Sequence, residues 1–487
     1  MADVHLQTLN AVHIKVVAEP GIIMEMAEHF TFMAPNYKFH PKYKARLWNG
    51  KISLLNRLTG TIYAGLAKRI KQFCDARGYT MSFDEGCAYN AVSREDVIQF
   101  IKGLGLPDWI ELRDYQIDAV HKCIVSNRRL LLSPTSSGKS LIIYMISQWF
   151  NLRTLIIVPS NGLVDQFKSD LTSYGFKGTI ATSKEKITKK NLVEADVVIS
   201  TWQALDNGRS KVASTWLSQF EVVFGDEAHG AKSASMISIL SSMTNCYHRF
   251  GTTGTLDGEA LTLNTVEGLF GPEYRNITTR EMIDQGDATN VKIRCIVLKY
   301  PPEVAKKFRN ERGRFASYPE EIAWITESQL RNNFITKLAN KLEGNRIVFF
   351  KRVEHGKLLN ESFGDKENVY YIDGGVKDRE RIRKSMEEEE DAILLASIGT
   401  TATGVSIRKL HSMINTHPMK GQIKLLQSIG RMLRQHEDKN VAIIYDVVDD
   451  LSTSTYKNYT LKHFEARAAL YDREGFDYTI HNVFLKE

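Results

Sequence analysis

Eight consecutive residues, Ser133-Pro-Thr-Ser-Ser-Gly-Lys-Ser140, have the composition of a loop that grips phosphate. They sit between an apolar run at 130–132 and another at 141–149, so the loop joins a strand to the start of a helix. Backbone N–H groups at such a junction converge on an anion, and a lysine adds a mobile positive charge. In that arrangement Thr135, Ser137 and Gly138 line the phosphates, Lys139 bears on the outer ones, and the Ser140 hydroxyl ligates Mg²⁺. Ser133 stands where the strict pattern has its first glycine, and a serine-rich turn before a core helix is the plainer alternative.

A second signal answers that alternative. The apolar run 221–225 ends in Asp226-Glu227-Ala228-His229, about ninety residues after the loop. An acidic pair at the C-terminal end of a parallel strand lies in the crevice where α/β sheets bind ligands. Asp226 is placed to hold Mg²⁺, and Glu227 to orient and deprotonate an attacking water. A third signal is Gln427-Ser-Ile-Gly-Arg431-Met-Leu-Arg434, in which Gln427, Arg431 and Arg434 share one face at helical spacing. Two arginines so placed can meet charge developing on a terminal phosphate, although a basic surface helix has the same pattern. Together the three point to hydrolysis of a nucleoside triphosphate, with ATP and Mg²⁺ as the implied ligands.

These residues need rigid carriers. Short apolar runs at 129–132, 154–158, 196–200, 221–225 and 247–251 are mostly followed by a polar turn and a helical pattern. After a pause at 271–290 the rhythm resumes at 292–298, 347–350, 369–372, 392–397 and 441–445. Continuous apolar strands alternating with helices predict parallel sheets covered on both faces. Before residue 105 the texture differs, with short alternating runs, an Asn49–Gly50 hairpin signal and a helical pattern over 66–76. The expected α/β architecture is therefore a small basic α+β domain (1–105) ahead of two parallel-sheet domains in tandem, 106–286 and 287–455. A helical tail, 456–487, with Leu461, Phe464, Ala468 and Tyr471 on one face, packs back on the second.

The 487 residues are 43% apolar and 10% aromatic, enough for several cores, which rules out general disorder. The longest apolar stretch, 141–150, is far short of the roughly 20 residues a membrane span needs. No basic segment followed by an apolar core opens the chain, so a soluble, cytoplasmic protein is expected. The five cysteines are widely spaced and form no C-x-x-C pair, which argues for reduced thiols over zinc or disulfides.

The net charge is +7, yet nine Lys or Arg and no Asp or Glu fall between residues 36 and 71. Aromatic residues lie among them. Lys42, Lys44, Arg46 and Lys51 suit phosphate contact, and Trp48 suits stacking on a base or wedging a strand junction. A solvated basic face is the alternative for the charges, and a place in a small core is the alternative for Trp48.

The order of phosphate loop, Asp-Glu-Ala-His box and Q-x-x-G-R-x-x-R resembles the superfamily 2 helicases, whose motor is two RecA-like domains. Further pieces fall in the order this resemblance requires. Leu112-Arg-Asp-Tyr-Gln116 is similar to the segment whose glutamine reads adenine, here Gln116. Val158-Pro-Ser160 and Ser200-Thr-Trp-Gln203 resemble the nucleic-acid motifs of the first domain, which implicates Pro159, Ser160, Thr201, Trp202 and Gln203. Thr253-Gly-Thr255 resembles the motif coupling hydrolysis to motion. Thr403-Gly-Val-Ser-Ile407 resembles the motif touching strand and nucleotide, through Thr403 and Gly404. The strings Phe39-His-Pro, Trp48-Asn-Gly, Ile70-Lys-Gln-Phe-Cys74 and His355-Gly-Lys357 bring the whole chain close to the recombination and branch-migration helicases of tailed phages.

What the resemblance implies is an ATP-dependent DNA helicase or translocase acting on branched or forked DNA, duplex and single strand. It further implies arginine fingers at Arg431 and Arg434, no membrane partner, a monomer or weak oligomer, and a place in the host cytoplasm. Two departures from the pattern are Ser133 and Ser136, where small or glycine residues are usual. An RNA helicase on the same motor, or a DNA-stimulated ATPase scaffold without strand separation, stays open, because backbone-tracking motifs do not read sugar chemistry.

Overall fold

The computed structural model describes residues 2–84, 91–184, 195–206, 216–256, 259–307, 317–376, 378–401, 407, 409–418, 429–430, 432, 441–452 and 456–486. Thr403, Gly404, Gln427, Arg431, Arg434 and Cys87 lie outside the described residues. The chain separates into two compact units, Met1–Ser133 with Gly138–Ile277, and Pro134–Ser137 with Thr278–Glu487.

The first unit opens with six short strands: β1 (Val4–Thr8), β2 (His13–Ala18), β3 (Thr31–Met33), β4 (Lys51–Ser53), β5 (Thr61–Tyr63) and β6 (Met81–Phe83). They form a mixed sheet in the order β5-β2-β1-β6 and a separate β3-β4 ribbon. Alternation in β1 and β2 buries Val4, Leu6, Ile14 and Val16, which pack with Ile70, Phe73 and Cys74 of the helix Ala67–Arg77. That helix agrees with the spacing read from sequence. The Asn49–Gly50 signal does not mark a two-residue hairpin. It precedes β4, whose partner β3 ends at Met33, so the connection is a long segment, 34–50, with a short helix at Pro41–Lys44, carrying Lys38, Lys42, Lys44 and Arg46 of the nine basic residues.

Seven parallel strands follow: β7 (Arg128–Leu132), β8 (Thr154–Val158), β9 (Ile180–Thr182), β10 (Val197–Thr201), β11 (Val222–Asp226), β12 (His248–Thr253) and β13 (Glu273–Arg275). Their order is β13-β7-β12-β11-β8-β10-β9. β8, β10 and β11 are buried at every position, as strands covered on both faces must be. The helices Lys139–Phe150 and Asn161–Ser173 pack on one face with Ile142, Ile146, Val164 and Phe167. The helix Ala260–Phe270 packs on the other, with Val266, Leu269 and Phe270.

The small N-terminal domain is fastened to this sheet domain, not merely tethered. Gly65 lies so close to the helix Ala260–Phe270 that a Cβ there would sit 2.1 Å from the Glu267 carbonyl oxygen. Arg69 donates to the buried Glu267 carboxylate at 2.5 Å, and Arg128 donates to the Ala11 carbonyl at 2.9 Å. Two of the nine basic residues, Arg69 and Lys71, are therefore spent on ion pairs, the latter with Asp75.

The second unit has its own seven-stranded parallel sheet: β14 (Asn290–Lys299), β15 (Arg346–Phe350), β16 (Val369–Ile372), β17 (Ile393–Ser397), β18 (Ser412–Asn415), β19 (Val441–Asp450) and β20 (Asp477–Phe484). The order is β16-β17-β15-β18-β19-β14-β20. The segment after residue 456 supplies the helix Tyr459–Glu474 and then β20, which extends the sheet by pairing with β14. Arg467 of that helix donates to the buried Asp446 at 2.8 Å, and Tyr471 donates to the same carboxylate at 3.0 Å. Cys74, Cys123, Cys246 and Cys295 are buried free thiols. Among the described residues no helix is long and apolar enough to cross a membrane.

Candidate nucleotide and nucleic-acid site

The C-terminal ends of β7, β12, β11, β8 and β10 lie side by side along one edge of the first parallel sheet. Each carries a residue group singled out above. The phosphate loop leaves β7 and Thr253 ends β12. Asp226 ends β11, Pro159 and Ser160 follow β8, and Thr201 ends β10. Register pairs Asp226 with Thr252 and Thr201 with Val158, so nucleotide and nucleic-acid candidates occupy neighbouring parts of one rim.

In the loop, Ser133 is buried and its N–H donates to the Thr253 carbonyl at 2.9 Å. Its φ is not positive, so serine serves where the strict pattern has glycine. Ser136 differs. It takes a left-handed conformation, φ 70°, which costs a non-glycine residue roughly 1–2 kcal/mol. Gly138, φ 79°, passes so close to Gln116 that a Cβ would lie 2.3 Å from the amide nitrogen. Gln116 is itself buried and accepts from the Arg113 N–H, which fixes its amide against the loop. Ser137 is buried and donates to the Pro134 carbonyl at 2.7 Å. Thr135 is half-buried. Lys139 opens the helix and folds back to donate to the Ser133 carbonyl at 3.2 Å. Ser140 follows, its hydroxyl 2.9 Å from the Tyr174 hydroxyl.

Across the rim, Asp226 is buried and accepts from the Thr252 hydroxyl at 2.9 Å. Burial and the neighbouring Glu227 push its carboxyl up to about 6, against the pull of Lys139 and the Thr252 hydrogen bond. Glu227 adopts φ 51°, a strained conformation of the kind that collects at functional positions. His229 approaches it at 3.2 Å, and the Thr253 hydroxyl lies 3.0 Å from the His229 Nδ1. Ser140 and Asp226 carry hard oxygen donors of the kind a magnesium ion takes, and Asp226 adjoins a second carboxylate, Glu227.

The nucleic-acid candidates fare unequally. Pro159 and Ser160 are half-exposed at the rim, with Ser160 opening the helix Asn161–Ser173. Thr201 is buried and caps the turn Trp202–Leu205 by accepting from the Ala204 N–H. The Trp202 ring packs on the sheet core, while Gln203 is exposed. In the N-terminal domain Lys42, Lys44, Arg46 and Lys51 are exposed and make no ion pair among the described residues. A cleft of about 790 Å³ is lined by Lys38, Tyr43, Lys44, Arg46, Leu47 and Trp48, with Asn49. Trp48 stands apart from the domain core. Its indole N–H donates to the Lys51 carbonyl at 2.9 Å, and its ring meets His40 edge-on at 5.2 Å.

Sequence reasoning passed over Thr252, which orients Asp226, and Tyr174, which contacts Ser140. Only strand register and helix packing bring these partners to the site.

A phosphate loop and an acidic strand end on a parallel sheet, followed by a second parallel sheet, define a helicase-type motor with two RecA-like domains. Residues 3–84 match the family of the N-terminal domain of DNA helicase UvsW, and residues 109–258 the type III restriction enzyme res subunit family. Residues 330–436 match the helicase conserved C-terminal domain. The ATP-dependent DNA helicase uvsW of Enterobacteria phage T4 is 35% identical, across 99% of this chain and 100% of its own length. The crystal structure of T4 UvsW aligns with a TM-score of 0.52 at 31% identity, covering 99% of this chain and 100% of that one. The DNA 3'-5' translocase XPB2 of Sulfurisphaera tokodaii is 23% identical over 72% of this chain and 84% of its own. The chain belongs to the UvsW helicase family.

Proposed function

We propose that this protein is an ATP-dependent DNA helicase that remodels branched or forked DNA, with the site on the rim of the first parallel sheet as its ATPase. The observation that carries the reading is the shared rim, which sets Lys139, Ser140, Asp226 and Glu227 beside the strand ends bearing Pro159, Ser160 and Thr201. Full-length similarity to an ATP-dependent DNA helicase supports the activity.

Lys139, held over the loop, supplies positive charge to the outer phosphates. Gln116, locked against Gly138, is the adenine-side contact. Glu227 takes the proton of the attacking water, with His229 and the Thr253 hydroxyl fixing its carboxylate. Ser140 and Asp226 would hold Mg²⁺, which would supply positive charge to neutralise the phosphates. Gln427, Arg431 and Arg434 complete the set, and Thr403 and Gly404 serve strand and nucleotide, on their sequence pattern. The exposed cations Lys42, Lys44, Arg46 and Lys51 hold duplex phosphates while Trp48 meets the junction.

Turnover measured with forked DNA, linear duplex, single-stranded DNA and RNA tests the reading. Forked DNA should stimulate most, and Lys139→Ala should lower stimulated turnover by at least about 10²-fold while leaving DNA affinity unchanged. Equal stimulation by RNA would remove the DNA assignment, and a normally active Lys139→Ala would remove the site.

A further inference from the structure

Ser140 lies in the first turn of the helix Lys139–Phe150. A serine there has no helical carbonyl four residues back to bond, so its hydroxyl turns freely unless something holds it. Tyr174 is that partner, with the two hydroxyl oxygens 2.9 Å apart. The phenol is fixed from two sides. Its ring packs at 5.6 Å from Tyr144, one turn beyond Ser140 on the same helix, and at 6.2 Å from Trp109. Tyr174 ends the helix Asn161–Ser173, and its N–H bonds back to the Asp170 carbonyl, so backbone and ring are both anchored.

We propose that Tyr174 is a positioning residue for the phosphate-loop serine, accepting a hydrogen bond from the Ser140 hydroxyl so that the serine oxygen is free to present its lone pairs to nucleotide-bound magnesium. A hydroxyl that ligates a cation uses an oxygen lone pair and must place its hydrogen elsewhere, and a phenol oxygen is a suitable acceptor. This rests on reading Ser140 as a metal ligand.

Binding of a fluorescent ATP analogue to the full chain, with Mg²⁺ and with EDTA, tests it through affinity alone. Tyr174→Phe keeps the ring and its packing and removes one oxygen. The gain in affinity that Mg²⁺ confers should shrink by between about 2- and 12-fold, the worth of one neutral hydrogen bond, while affinity in EDTA stays as in the wild type. Ser140→Ala should erase the gain further, and Tyr174→Phe added to Ser140→Ala should change nothing more. An unchanged gain in Tyr174→Phe beside a collapsed gain in Ser140→Ala overturns the role of Tyr174 and leaves the metal reading intact. An unchanged gain in both variants overturns both. Equal losses with Mg²⁺ and with EDTA make Tyr174 a packing residue and overturn the proposal.

Discussion

At the scale of single residues, Glu227 carries the most telling combination of chemistry and strain. Its backbone is left-handed, its carboxylate faces His229 and Thr253, and its neighbour Asp226 is buried. Neither strain nor crowding of two acids is favourable for folding, and both fit the role proposed for Glu227 in deprotonating water. Glu227→Gln keeps the shape and removes the carboxylate proposed as the base. Turnover should fall by about 10²- to 10⁴-fold with nucleotide binding retained, so that the ATP-bound form accumulates. Loss of nucleotide binding would instead make Glu227 a structural residue. Asp226 has its orientation from Thr252, a partner one strand away that no local motif contains.

At the scale of elements, the connection from β3 to β4 and the first residue of β4 hold the exposed cations Lys42, Lys44, Arg46 and Lys51, with Trp48 among them. Replacing Lys42, Lys44, Arg46 and Lys51 together with Ala should make the log-affinity against log-salt slope for duplex DNA shallower by up to about 3.6, since fewer phosphates are neutralised. An unaltered slope would mark these residues as a solvated face. Trp48→Ala should leave that slope as it is and impair fork unwinding, because the ring contributes stacking and no charge. The domain core is formed by other residues, such as Val4, Leu6, Ile14 and Phe73, so the variant should melt near the wild-type temperature. A collapse in melting temperature would return Trp48 to a structural role.

At the scale of the whole molecule, the second unit is built around buried charge. Arg331 pairs with Asp449 and Arg467 with Asp446, all four side chains being nearly inaccessible. His355 and His417 are buried with them. Burial, reinforced by Arg331, pushes His355 down to about 2, and burial with Lys351, Arg331, Arg467 and Arg352 pushes His417 down to about 3. Both rings stay neutral in the folded chain while the unfolded chain protonates near pH 6.5, so stability is lost as pH falls below that value. By pH 5 each histidine should subtract roughly 2 kcal/mol. Urea unfolding at pH 7 and pH 5, followed by fluorescence, should show the loss, and His417→Gln should reduce it. An identical pH dependence in that variant would exclude His417 as its source.

The motifs were legible because local chemistry fixes them. A phosphate loop must be small, glycine-bearing and lysine-ended, and an acidic pair at a strand end must follow an apolar run, so Lys139, Ser140, Asp226 and Glu227 stand out in one dimension. Parallel architecture was legible for the same reason, since most strands buried on both faces are largely apolar, although β18, buried at all four positions with Ser412 and Asn415 at its ends, left no such run. The short edge strands β9 and β13, and β20, whose residues are largely exposed, left no such signature. Asn49–Gly50 misled because turn chemistry does not say which strand pairs with the next. Nor could sequence separate Arg69 and Lys71, bound in ion pairs, from Lys42 and Arg46, which are exposed. Residue types and spacing determined which chemistry the chain can perform. Contacts between residues far apart in sequence, such as Tyr174 with Ser140, Thr252 with Asp226 and Arg69 with Glu267, were decided only by the packing of helices and strands, because the partners share no local pattern.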